Sequence, residues 1–447
     1  MENLNVSAED LIRALLSITD KHKVYILDSC GVFGKNRLLL ASFDPIKTLK
    51  ISHENPKHSL TQLDDLFKTK NVFCIFTISY DFGLKLNKIE SQRRKNYYSS
   101  EPDIFLAIFD FLIMHDYQAS STYLVGNRKK FAEVEKSLDS SKRFVLANKS
   151  KVKSISSDLD QSSYESAIRK IQDFICRGDT YQVNLTREIL VESYDNPVAA
   201  EIFFRLRRNH PVPFAAFIDR GEDQVVSASP EQFFRIEGRT ITASPIKGTR
   251  KRGKTAVDDK NLMMELSNSE KERAENIMIV DLMRNDLGRI CEFGSIEVKK
   301  LCEIEAYSTL FQMVSTISGK LRDNVEFSDV LTSLFPCGSV TGAPKIRTIQ
   351  IIEALEPSSR GLSMGAIGYH IANPDFAHGM LGAENLTNCS VAIRTMNISS
   401  RNIRFKVGGG IVIDSEPSAE YEETNLKAKA LLNAIGVTEE MFAMETD

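Results

Sequence analysis

The stretch IRFKVGGGIVIDSEPSAEYEETNLKAKALL, residues 403–432, changes its hydrophobic period midway. Ile403, Phe405 and Val407 alternate with charged residues, the pattern of a half-buried strand, and the apolar run Ile411 to Ile413 continues it beyond three glycines. From Ser418 onward the spacing becomes helical. Gly408, Gly409 and Gly410 have two readings. A bulge or bend between strands is the commoner use of glycine there; the sharper reading is a place where a small anion comes close to backbone N–H groups. On the helix, Glu420 and Glu423 lie three apart, so their carboxylates share one face.

NSEKERAENIMIVDLM, residues 268–283, repeats that arrangement with Glu272 and Glu275 on a second helical pattern. A single ExxE pair is ordinarily a solvated helix face. Two pairs make a set of hard oxygen ligands that suits Mg2+, which takes carboxylates and retains water and substrate oxygens. A di-iron site would bring ExxH, and no histidine stands near either pair. In GSVTGAPKIRTIQIIEAL (338–355), Pro344 suits the first turn of a helix, which puts the loop Gly338 to Gly342 before that helix's positive end, a natural place for a carboxylate. The glycine spacing and the position of Lys345 differ from a Walker A loop, so ATP is not implied. Lys247, in PIKGTR (245–250), follows a strand-like run and would be a surface charge in most chains.

The 447 residues carry 57 basic and 60 acidic side chains, a net charge of -3, which gives no general attraction to nucleic acid or anionic membrane. Seven cysteines without a CxxC pair fit neither a disulfide framework nor a zinc site, and point to a reducing, cytoplasmic setting. The N-terminal segment, with Glu2, Glu9 and Asp10, reads as an amphipathic helix and not as a signal sequence. The longest apolar run, Phe105 to Met114, contains Asp110 and is far short of the roughly 20 residues a membrane span needs. GxGxxG is absent, which argues against a Rossmann site.

Strand-like runs include Lys23 to Asp28, Val72 to Tyr80, Val183 to Ile189, Gln224 to Ser227, Phe233 to Ile236 and Thr240 to Ala243. They mix with helices without βαβ alternation, favouring an α+β class. A Ser-, Lys- and Asp-rich stretch over 138–163, with room for one edge strand, separates an N-terminal region, 1–150, from a second region, 163–436. Ser162 with Glu165 forms a capping-box pattern, so a helix is expected to begin near 163.

Seven ordered blocks carry a resemblance: SASPEQFF (227–234), PIKGTRKRG (245–253), ENIMIVDLMRND (275–286), GSVTGAPKIR (338–347), GAIGY (365–369), VAIRT (391–395) and GGGIVIDSEPSAEYEET (408–424). Together they resemble the chorismate-binding enzymes, a family that includes anthranilate synthase component I, aminodeoxychorismate synthase component I, isochorismate synthase and salicylate synthase. The match runs from about 163 to 436; the first 150 residues match weakly. The resemblance implies an anthranilate-synthase-like sandwich of two antiparallel sheets with helices on the outer faces, the two regions interleaved in one body. It also implies that Glu275 and Glu423 bind Mg2+, with Glu272 and Glu420 in the same cluster and the metal holding the ring carboxylate of chorismate. Gln182, Gly248, Thr249, Thr341, Tyr369, Arg394, Gly408, Gly409, Gly410 and Lys427 match positions that line the substrate pocket. The chain carries no His and Cys blocks of amidotransferase type, so ammonia would come from free ammonium or from a separate glutamine amidotransferase subunit in a heterodimer.

Two positions choose a branch. Where water-using relatives carry a lysine base, this chain has Gln182, whose amide cannot remove that proton; this favours ammonia as nucleophile. PIKGT replaces the PIAGT typical of anthranilate synthases, and the resemblance gives Lys247 the role of a covalent nucleophile and Glu231 that of the acid for the departing hydroxyl, on the route to 4-amino-4-deoxychorismate, para-aminobenzoate and folate. For Glu231 the plain alternative is a strand-end carboxylate paired to an arginine. Anthranilate synthase component I and a non-catalytic chorismate-binding relative are the competing functions. The chain departs from the family at Gln312, where many relatives have histidine, at Asn388, where aspartate is common, and at Pro374 to Gly382, which reads as an insertion. LLLAS (38–42) differs from the LLES type that binds tryptophan.

Overall fold

The structure, a computed structural model, describes residues 2–32, 37–69, 72–91, 101–139, 144–146, 151–307, 310–372, 385–438 and 441–442. The insertion read at Pro374 to Gly382 lies outside them. The described strands form two antiparallel sheets, one of 12 strands and one of 10. This is the α+β sandwich with outer helices that the sequence led us to expect.

The order of the larger sheet runs from Glu2–Leu4 through Ser121–Gly126, Phe111–Asp116, Leu38–Phe43, Val24–Asp28, Phe214–Asp219, Gln224–Ser229, Thr395–Ser399, Asn402–Ile411 and Gln182–Ser193 to Gly342–Ala343. The strand Val152–Ser157 also pairs with Gln182–Ser193. The smaller sheet runs from Ile246–Lys251 through Leu310–Lys320, Thr240–Ser244, Gln232–Glu237, Asn385–Val391, Ala366–Ala372, Val72–Ile78 and Ile104–Phe109 to Lys47–Ile51, with Glu297–Ala306 also on Leu310–Lys320. Strands from before residue 130 and strands from beyond 150 therefore share both sheets.

Three apolar layers hold the sandwich. Tyr25, Leu40, Phe73, Ile75, Phe105 and Ile218 fill the space between the sheets. Ala8–Ser17, Phe131–Asp139, Ala199–Asn209 and the end of Pro417–Ile435 cover the larger sheet. Pro56–Phe67, Glu270–Gly288 and Phe327–Leu334 cover the smaller one. Among the described residues no helix is long and apolar enough to cross a membrane, and the seven cysteines are free thiols.

Three local expectations are corrected. The helix Gln161–Cys176 is capped by Asp160, whose carboxylate accepts from Ser163 N at 2.8 Å; Glu165 instead bonds Gln161 and Arg169 along the helix, so Ser162 and Glu165 make no capping box. Gly408 to Gly410 are not a bulge or bend: they lie inside the continuous strand Asn402–Ile411, opposite Thr186, Leu185 and Asn184 in unbroken register. The N-terminal segment is a short strand followed by the helix.

A buried ion pair sets the frame around the C-terminal strands. Arg360, fully buried, donates to Glu356 at 2.6 and 3.1 Å, to Val340 O at 2.7 Å and to Asn184 O at 2.7 Å, with its guanidinium 4.5 Å from the Tyr80 ring centroid. Glu356 in turn accepts from Thr186 N and Oγ1, both at 2.8 Å. Lys345 joins Asp286 at 2.6 Å and Leu334 O at 2.9 Å, fixing the 338–344 turn to the end of the 270–288 helix. Removing one partner of such a pair leaves a buried charge and costs about 3–5 kcal/mol. Arg360→Met is expected to lower unfolding free energy by that amount in denaturant titration, and Arg360→Met with Glu356→Gln to lose less than the single change.

Candidate active site

A bulge decides which side chains meet. In the strand Ile246–Lys251, Lys247 faces Met313 and Thr249 faces Gln312, so the register shifts at Gly248, whose φ of 70° is the left-handed value such a bulge requires. Lys247 thus lies within a strand and not after one. The shift undoes the period of two: Arg250, opposite Phe311, comes round to the face of Lys247. Both reach the helix Glu270–Gly288, where Glu272 and Glu275 are nearly one turn apart. Lys247 Nζ stands 3.7 Å from Glu275 Oε2, and Arg250 Nη1 3.4 Å from Glu272 Oε1. A Cβ on Gly248 would come within 2.8 Å of Glu272 Oε2, so a side chain there would push the carboxylate away.

The glycine strand makes the other wall. A Cβ on Gly408 would strike Leu185 O at 2.0 Å, which makes glycine a packing requirement of the strand pair. Added at Gly409 it would meet Glu420 Oε2 at 3.1 Å and Lys427 Nζ at 3.8 Å; added at Gly410, Gln182 Nε2 at 2.6 Å and Lys247 Nζ at 3.6 Å. Lys427 donates to Gly408 O at 2.8 Å and pairs with Glu423 at 2.7 Å, while Ser415 donates to Glu420 at 2.7 Å. Burial raises Glu275, helped by Glu272 and Glu420 and opposed by Lys247 and Lys271. Glu423 is lowered: burial raises it, but Lys427, Lys271 and Lys247 outweigh that.

The four glutamates chosen from the sequence therefore face one another from two helices, with glycines beside Glu272 and Glu420. Hard oxygen donors that repel one another through Glu275 fit a divalent cation. They are not gathered into a ready cage: among the described residues no three acidic, His or Cys side chains are grouped as metal ligands, and each glutamate is engaged by Lys247, Arg250, Lys427 or Ser415.

Deeper in, Glu231 occupies the turn between Gln224–Ser229 and Gln232–Glu237. It is 5% exposed, its Oε1 has no hydrogen-bond partner, and among the described residues no arginine is paired with it, which sets aside the arginine-paired alternative. Burial pushes its carboxyl up to about 7, against the opposing influence of Ser339, Lys247 and the Ile246 N–H. Gln182 is fully buried and both polar atoms of its amide lack partners. Buried polar atoms without partners are uncommon in folded chains, and a bound polar molecule would satisfy these.

The remaining residues chosen from the sequence are placed as follows. Thr341 is fully buried, its hydroxyl donating to Cys337 O at 3.0 Å, so it holds the loop in shape. Thr249 is exposed at the rim. Arg394 has φ 50° and a guanidinium lowered by burial. Tyr369 stands apart: its ring belongs to the layer between the sheets, beside Phe73, and its hydroxyl engages Asn388. Gln312 is buried in the strand opposite Thr249. Sequence reasoning assigned no role to Arg250, Ser415 or Ser339, although each lies inside a quoted block; for Arg250 the available signal was Gly248, the one residue that tolerates the bulge. A cleft of about 530 Å³ beside the helices Pro56–Phe67 and Phe327–Leu334, around Phe67, Phe327 and His370, contains none of these residues.

Residues 22–433 match the model of the chorismate binding enzyme family, and the chain belongs to that family. Aminodeoxychorismate synthase component 1 of Bacillus subtilis (strain 168) is 32% identical over 421 residues, 91% of this chain and 85% of that protein. Anthranilate synthase component 1 of Aquifex aeolicus (strain VF5) is 35% identical over 355 residues, 76% of this chain and 69% of that protein. The crystal structure of anthranilate synthase component I from Streptococcus pneumoniae TIGR4 superposes with a TM-score of 0.77 at 26% identity, covering 89% of this chain and 93% of that one.

Two predictions arise from this geometry. Gly408→Ala is expected to lower thermal stability through its clash in the strand ladder, whereas Gly410→Ala is expected to fold and lose chorismate turnover at least tenfold, because its Cβ enters the space beside Gln182 and Lys247 (about 1.4 kcal/mol per tenfold). For Glu231 the folded value lies above the ordinary 4.5, so its proton favours folding fully below that pH and the benefit is lost as pH rises through about 7. Charging it then costs on the order of 3 kcal/mol. Glu231→Gln is expected to gain stability relative to the parent in denaturant unfolding as pH is raised from about 5 to about 8.

Proposed function

We propose that this chain is the chorismate-aminating component of an aminodeoxychorismate synthase, converting chorismate and ammonia to 4-amino-4-deoxychorismate. The observation that carries the reading is the placement of Lys247 and Gln182 together against Gly410, with a protonatable Glu231 in the electrostatic reach of the same lysine. The name of the Bacillus subtilis relative agrees with it.

Each residue then has a task. Mg2+ held by Glu275 and Glu423, with Glu272 and Glu420 beside them, would neutralise and position a substrate carboxylate. Lys427 and Arg394 supply positive charge for a dicarboxylate, where charge-assisted bonds are the strong ones. Gln182 offers its unpartnered amide to the substrate or to ammonia and cannot serve as a base for water. Lys247, as the neutral amine, adds through Nζ to ring carbon C2; the two conjugated ring double bonds shift and the C4–O bond breaks, the hydroxyl taking the Glu231 proton and departing as water. Ammonia next adds at C4, the two double bonds shift back, the C2–N bond to Lys247 breaks to return the neutral amine, and the C4 ammonium returns a proton to Glu231. Glu231 suits the first stage because burial keeps its proton available near neutral pH. A separate glutamine amidotransferase subunit would deliver the ammonia, which free ammonium replaces in the test tube.

Mass spectrometry of products formed from chorismate, MgCl2 and ammonium chloride tests the reading. The parent is expected to accumulate 4-amino-4-deoxychorismate, and Lys247→Ala to lose at least a hundredfold of that rate or divert to anthranilate (about 2.7 kcal/mol or more). Anthranilate and pyruvate from the parent would move the chain to anthranilate synthase; chorismate binding without turnover would favour a non-catalytic relative.

A further inference from the structure

We propose that Lys247 is the internal counter-ion of the glutamate cluster, so that a divalent cation enters only by displacing its ammonium from Glu275. The inference rests on the metal-dependent reading above and adds to it a competition between the metal and the nucleophile.

Three observations support it. Lys247 Nζ lies 3.7 Å from Glu275 Oε2, and both side chains are largely buried, at 14% and 15% exposure. The influence of Lys247 also reaches Glu423 on the opposite helix, so its charge acts on both carboxylates assigned to the metal. The other members of the cluster already have their own partners: Arg250 for Glu272, Lys427 for Glu423 and Ser415 for Glu420. Three cationic side chains thus offset four carboxylates. Like charges a few ångströms apart in a partly buried site repel strongly, so an ammonium and a divalent cation do not share Glu275 at little cost. Lys271, which acts on Glu275 and Glu423 but forms no short pair with either among the described residues, keeps some positive charge nearby when Lys247 moves away.

The same exchange serves the nucleophile. While it is paired with Glu275, the amine is directed at a carboxylate. Once a cation occupies that carboxylate, Nζ is left with Gln182 and the space in front of Gly410, where the ring is to bind. Metal loading and release of the lysine are then one event, and the nucleophile is set free only in a chain that is ready to hold the substrate carboxylate.

The test uses Mn2+ alone, titrated onto the purified full chain without chorismate, with free Mn2+ read by electron paramagnetic resonance. Lys247→Met is expected to bind Mn2+ about tenfold more tightly than the parent, a pairwise effect of ordinary size for neighbouring charges. In a Glu275→Gln background the same lysine substitution is expected to tighten binding by much less, the remainder coming from its reach to Glu423. Lys247→Gln provides a second neutral side chain should the methionine variant fold poorly. Equal or weaker Mn2+ binding by both neutral variants overturns the proposal, as does tightening that persists at full size in the Glu275→Gln background. Absence of Mn2+ binding by every form overturns it together with the metal assignment. Anthranilate as the parent's product would end the aminodeoxychorismate reading while leaving the competition result standing, so the two failures are separable.

Discussion

The buried pair of Arg360 and Glu356 is the constraint on which the site's geometry depends. One guanidinium joins the carbonyls of Asn184 and Val340, and one carboxylate holds the backbone of Thr186. The strand opposite the three glycines and the turn below Thr341 are thereby held at a fixed spacing. Ion pairs removed from water stabilise little by themselves when compared with apolar replacements. Their value here lies in geometry: an apolar filler would occupy the volume without specifying which carbonyl sits where. Tyr80, from the N-terminal region, closes over the guanidinium, so even residues without a chemical motif enter the frame.

Much of this was legible in the residues. The two ExxE pairs identified the facing helices, because a three-residue spacing puts two side chains on one face whatever surrounds them. Strand runs such as Val72 onward and Gln224 onward were visible from apolar runs that neighbouring strands then bury. The glycine strand was not legible as such. Its local signal is a bend, and only pairing with Gln182–Ser193 keeps it extended, a long-range interaction that overrides propensity. Arg250 escaped notice for the opposite reason. Alternation along a strand places it away from Lys247, and the single inserted residue at Gly248 reverses that assignment. Tyr369 lies in a quoted block yet faces the layer between the sheets, because the strand period there is regular.

The charge arrangement around Glu275 shows how a polar site tolerates burial. Four carboxylates on two helices would repel one another if left alone, and the chain supplies its own partners for them: three cations from one strand and one helix, and a serine hydroxyl. Each comes from a feature that looks minor by itself: a bulge, an i,i+4 helix pair, a serine after a strand. The buried acid Glu231 is handled differently. It is given too little compensation to keep it charged, and so retains a proton that the surface carboxylates lose.

The sharing of both sheets between early and late segments has a consequence for the chain's biosynthesis. Val24–Asp28 pairs with Phe214–Asp219, and Val72–Ile78 with Ala366–Ala372, so strands made first wait for partners made far later. A ribosome-bound N-terminal third exposes unpaired strand edges for much of its synthesis, and contacts this distant in sequence form slowly. The fold closes only when the last strand and helix emerge. Those last segments also carry Gly410, Glu420, Glu423 and Lys427, so completion of the sandwich and completion of the site coincide, and a prematurely ended chain has neither.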